Sequence, residues 1–147
     1  MTMNKKRMNK LIRWADEALQ EQVANNDAGV SKMLNDGNIL DAYNGSVSAL
    51  GVSIAMGELR PALAIYYQEK SERSARPKAN RRSVLDVIAR MITKDTDCQL
   101  DFSSQGLYAK NMFRRAIEHN DANLKQEIID CSIALKQVVR TYNLVES

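Results

Sequence analysis

Proline and glycine are scarce in this chain of 147 residues. Two prolines and six glycines leave little material for turns, which favours few, long elements. Histidine is scarcer still: His119 stands alone, near an expected helix end where a cation is favoured. Without a second histidine the sequence builds neither an imidazole zinc site nor a His-based acid–base pair. It also lacks a P-loop, a G-x-G-x-x-G turn and a G-x-S-x-G elbow. The chain is therefore expected not to be an enzyme, and to need no cofactor and no metal. No apolar run approaches the roughly 18 residues of a membrane helix. The basic start, MTMNKKRMNK, is broken by Arg13, Asp16 and Glu17 before any secretory core develops. A cytoplasmic protein is expected, with Cys98 and Cys131 reduced and packed as small hydrophobes rather than joined. Strand-like alternation is absent throughout, so no sheet is expected.

What is present is helical periodicity. The stretch from Ile39 to Lys70 is the most informative. Ile39 or Leu40, Tyr43, Val47, Leu50 and Ile54 fall on one face. Ala42, Gly45, Ser46, Ser48, Ala49, Gly51, Ser53 and Ala55 crowd the same helix with small side chains. A mid-helix glycine costs about 1 kcal/mol relative to alanine, so Gly45 and Gly51 imply a closely approaching backbone and a helix at the centre of a bundle. Gly57 is placed to end that helix in the left-handed region. Arg60, preceding a proline, is biased away from helical dihedrals, and Pro61 suits the first turn of the next helix. Leu63, Tyr66 and Tyr67 give that helix its apolar side.

Tyr43, Val47, Leu50, Gly51, Ile54, Gly57, Leu59, Pro61, Leu63, Ala64 and Tyr66 resemble the signature of the small subunit of the type III-B (Cmr) CRISPR RNA-silencing complex. The segment from Ala134 to Tyr142 is similar to that family's last helix. The resemblance covers about half of the chain and is a packing signature. It implies a non-catalytic subunit that contacts the guide and target RNA backbone and neighbouring subunits of the effector complex. It also implies copies stacked in a filament, with cleavage left to another subunit.

The remaining segments complete an all-α, single-domain bundle of about six helices spanning residues 1–147. A first helix is expected from about Asn4 to Val23, with Met8, Leu11, Ile12, Ala15, Leu19 and Val23 inward. Lys5, Lys6, Arg7, Lys10 and Arg13 oppose its dipole. They either meet an anion outside the chain or form a solvated end. Val30, Met33 and Leu34 are read as a short helical turn packed inward. A further helix from about Arg81 to Thr93 is apolar over a wide arc and largely buried. Asp95, Asp97 and Asp101 occupy a loop, but Leu100 and Gly106 stand where a calcium loop needs glycine and glutamate. Asp86 and Asp130 are read as structural or capping residues. A helix over about Gln105–His119 follows. Asn120 or Asp121 then caps a last helix whose seam is Leu124, Ile128, Cys131, Leu135, Val138 and Tyr142, widened by Val139 and Leu144.

The charge is mildly basic, +3 overall, but unevenly placed. In the connector of residues 70–82, Lys70, Arg73, Arg76, Lys78, Arg81 and Arg82 face only Glu72. Such a segment suits phosphate oxygens, which fix position without reading sequence. The candidate nucleic-acid contacts are Arg60, these six cations, and Lys110, Arg114 and Arg115. Tyr43, Tyr66 and Tyr67 can stack bases, although their helical spacing reads as core. The alternative is a protein–protein adaptor whose basic residues serve solubility.

Overall fold

The computed structural model describes residues 5–25, 30–68, 80–119 and 121–146. The chain forms α1 (Lys5–Ala24), the short strands β1 (Leu34–Asn35) and β2 (Asn38–Leu40), then α2 (Asp41–Met56) and α3 (Leu59–Tyr67). After the undescribed connector come α4 (Arg81–Lys94), α5 (Tyr108–Glu118), α6 (Ala122–Val139) and β3 (Asn143–Val145). Among the described residues the fold is all-α in its bulk, with six α-helices as expected. The expected absence of a sheet is corrected. β2 pairs antiparallel with β1 and parallel with β3, in registers Leu34↔Ile39 and Ile39↔Leu144.

The hairpin is made by Asp36 and Gly37, both at positive φ of 51° and 80°. Asp-Gly is a favoured pair for a two-residue hairpin turn. Val30, Met33 and Leu34 are buried as expected, but through extended backbone rather than a helical turn. Leu144 lies in β3, beyond the last helix, so the expected seam of α6 stops at Val139.

One continuous core draws on all six helices. Its centre is α4, not α2: every residue from Ser83 to Ile92 is buried. α2 buries Tyr43, Val47, Leu50 and Ile54 and leaves its opposite face exposed. Gly51 does meet a close neighbour, since a Cβ there would stand 2.6 Å from Ser132 Oγ on α6. Gly45 does not; among the described residues nothing lies within 4 Å of where its Cβ would be. The turn after α2 also departs from expectation. Gly57 has φ −138°, extended backbone rather than the left-handed region, and a Cβ there would lie 3.0 Å from Ser53 O. Arg60 is inside α3, which begins at Leu59. Pro61 therefore falls within the first turn, where no N–H is required.

Buried polar side chains on α1 and α4 bond to one another and to backbone. Asp86 is fully buried, and Arg90, one turn on, donates from Nε to its Oδ2 at 2.9 Å. Gln22 of α1 donates to the same oxygen at 3.0 Å and to Ser83 O at 3.1 Å, while its own oxygen accepts from Met33 N. Arg90 also donates to Asn25 O at 2.6 Å and lies 4.3 Å over the Tyr108 ring. Tyr43 accepts from Asn80 N, and Ser83 donates to Ser31 O. Asp121, rather than Asn120, is the cap of α6 that the structure describes, accepting from Asn123 N and Leu124 N.

Two stability outcomes follow from this packing. Gly51→Leu should overpack the α2–α6 crossing and cost about 1–3 kcal/mol, read as a lower denaturation midpoint. Asp86→Ala should cost about 3–5 kcal/mol, because it strands a buried guanidinium. Chemical denaturation checks both, and an unchanged midpoint for either would contradict the assigned contact.

Candidate nucleic-acid interface

α3 lies against α5, and the start of α4 reaches the end of α3. This juxtaposition gathers the described candidates. Tyr67 of α3 stacks on Phe113 of α5, ring centroids 4.7 Å apart and planes 11° from parallel. The Arg82 guanidinium covers the Tyr67 ring at 4.2 Å, and its Nε donates to Tyr67 O at 2.6 Å. Arg81, which is exposed, lies 5.3 Å over the Tyr66 ring. Arg60 donates from Nε to Ala116 O at 2.8 Å, tying the start of α3 to α5.

Local sequence explains the arrangement. Asn80 caps α4 by accepting from Arg82 N at 2.9 Å, which fixes the residue before Arg81 as extended backbone. Tyr66 is drawn inward, donating to Ser46 O at 2.6 Å. Burial pushes its hydroxyl up from the ordinary range, with Arg81 acting in the opposite direction. Tyr43 is likewise a core residue, so of the three tyrosines considered for stacking only Tyr67 is partly accessible.

On α5, Lys110 and Arg114 are exposed. Lys110 makes no ion pair among the described residues, while Arg114 meets Glu118 at 3.4 Å. Arg115 pairs with Asp121 at 3.2 Å. Partial burial works to raise the Asp121 carboxyl, but Arg115 and the capping N–H groups of Leu124 and Asn123 outweigh it and hold it below the usual range. Lys70, Arg73, Arg76 and Lys78 lie outside the described residues. The structure thus groups Arg60, Arg81, Arg82, Lys110 and Arg114 around α3–α5, and engages Arg82 and Arg115 internally. Phe113 lies on the helix expected over about Gln105–His119, and nothing in the sequence signalled that its ring would stack on Tyr67.

The cations of α1 divide differently. Lys5, Lys6 and Lys10 are exposed, but Arg7 meets an anion inside the chain. It contacts Glu127 at 2.8 Å, Asp130 at 3.2 Å and Asp95 at 3.4 Å. Burial opposes its charge, yet the bonds and charges of Glu127 and then Asp130 prevail and keep it protonated. One oxygen each of Asp95 and Glu127 and the Cys98 sulfur lie within 4.8 Å of one another. A divalent cation among them would have to displace the Arg7 guanidinium. Cys98 and Cys131 are both free. Burial raises both thiols, Cys131 strongly.

Arg82→Ala should cost about 1–2 kcal/mol through the lost charged hydrogen bond and ring contact. Arg81→Ala and Lys110→Ala should each stay within about 0.5 kcal/mol of the parent. Denaturant midpoints for the three variants separate the anchoring arginine from the solvated cations.

No family model, curated protein or solved structure matches this chain, so the reading of this face rests on its own chemistry.

Proposed function

We propose that the protein is a non-catalytic RNA-binding subunit that holds the sugar–phosphate backbone of a guide or target strand, as the small subunit of a type III-B CRISPR RNA-guided complex does. The observation that carries the RNA reading is the α3–α5 face. Exposed Lys110 and Arg114 stand on the helix that supplies Phe113 to the Tyr67–Phe113 stack, and exposed Arg81 adjoins Arg82, which covers that stack, at the point where the basic connector rejoins the described chain. Phosphate neutralisation needs only cations within reach, and it binds without reading bases. The signature residues Tyr43, Val47, Leu50, Ile54, Leu59, Leu63 and Tyr66 are buried, which is what a packing signature requires. The proposed place of work is therefore cytoplasmic, beside the other subunits of the effector.

A protein–protein adaptor is the second reading. It is favoured by the exposed apolar Val52, Met56 and Ile65, which are 56%, 85% and 51% accessible.

A salt series of RNA binding tests the first reading. Each phosphate neutralised on a single strand adds roughly 0.7 to the slope of log affinity against log salt. Arg81→Ala with Lys110→Ala should therefore weaken binding to unrelated RNA sequences equally and lower the slope by about 1.4. Unchanged affinity and slope would favour the adaptor.

A further inference from the structure

α2 is a two-faced helix. Its inner stripe is large and buried. Its outer stripe, Ala42, Gly45, Ala49, Val52 and Met56, recurs in alternating steps of three and four residues and is exposed throughout. After Asp41 the helix carries no charged side chain. A helix that lacks charge all round is ordinarily covered all round, yet among the described residues nothing covers the outer stripe. Gly45 adds an independent observation. A mid-helix glycine is destabilising, and here a Cβ would meet nothing within 4 Å among the described residues. Its missing side chain has a use only if a backbone closes on it from outside.

We propose that this outer stripe pairs, antiparallel and about a two-fold axis at Ala49, with the same stripe of a second copy of the chain. The stripe is self-complementary in that arrangement. Ala49 meets Ala49, the small Ala42 lies opposite the large Met56, and Gly45 lies opposite Val52 and Ser53. Small positions thus receive large ones, as interdigitating helices require. Charge agrees. Asp41, which is exposed, falls at the partner's Gly57, where Lys125 donates to the Gly57 carbonyl at 3.3 Å. Glu58 is close in sequence, but Arg60 follows it, leaving that end net positive. The seam is about 21 Å long at 1.5 Å per residue. It belongs with the small, weak interfaces, so the dimer is expected to form on the order of micromolar concentration. An interface of this kind is isologous and closes on itself, whereas head-to-tail stacking leaves an open end. Of the α3–α5 cations this seam draws only on Arg60, and its test measures self-association without RNA.

The test is sedimentation velocity of the full chain from about 1 to 100 µM, the range in which interfaces of this size assemble. A monomer–dimer equilibrium with no larger species is expected. Ala49→Glu should abolish the dimer while leaving the circular dichroism unchanged, because Ala49 is exposed. Asp41→Lys should weaken dimerisation, and adding Lys125→Glu should restore it. In a Cys98→Ser background, Ala49→Cys should give a disulfide-linked dimer on mild oxidation, and Ile65→Cys should not. A protein that stays monomeric throughout, a ladder of larger species, or dimerisation insensitive to Ala49→Glu would each overturn the proposal. The first outcome would leave the stripe to a partner of different sequence.

Discussion

The ion pair of Asp86 and Arg90 sets the frame of this protein. A charge withdrawn from water is stabilised only when its partners are fixed around it, and these partners come from distant parts of the chain. Gln22 brings the end of α1 and through its own oxygen holds Met33 at the approach to the hairpin, Asn25 brings the turn after α1, and Tyr108 the start of α5. Each arrives as a hydrogen bond or a ring face that the pair needs. α4 can therefore be buried on all sides, from Ser83 to Ile92, although it carries an acidic and a basic residue at its middle. The other helices pack around it as a sheath.

That frame also sets what α3 and α5 present to solvent. α4 is anchored at its centre and capped by Asn80. Its first residues are thus delivered to the end of α3, where Arg82 settles on Tyr67. The Tyr67–Phe113 stack then couples α3 to α5, and Arg60 couples them again at the other end. The exposed cations stand on helices that are braced twice, so their spacing is held by the fold rather than by loops.

Much of this was legible in the sequence. The six helices followed from periodicity, and the contact of Gly51 followed from the cost of a glycine in a helix. The failures have physical causes. Gly45 obeys the same rule as Gly51, but among the described residues nothing lies where its Cβ would be. The helix α4 was read as apolar over a wide arc and largely buried, as it is, but not as the centre; only a salt bridge one turn apart between Asp86 and Arg90, read as internal, points to that. Gln22 gave no signal, since a polar residue on an amphipathic helix looks solvated until its partners are known. Strands of two and three residues are too short to show alternation, although Asp36-Gly37 was a hairpin signal in its own right. Among the candidate cations, the sequence grouped residues by proximity along the chain. It could not distinguish Arg82, bonded to backbone, from Arg81 beside it.

The parallel pairing of β2 with β3 has a consequence for how the chain reaches this state. Asn38 and Asn143, whose side chains bond at 2.8 Å, are separated by 105 positions. During synthesis the hairpin is complete long before its third strand exists. Contacts so remote in sequence carry a large loop-closure cost and form late. Until then β2 offers an open edge of unpaired backbone groups, the feature that invites association with another strand. The hairpin limits that exposure by its size: β2 is three residues long, too brief to template a foreign sheet, and it waits for the one segment whose register, Ile39 to Leu144, places a leucine beside its buried isoleucine.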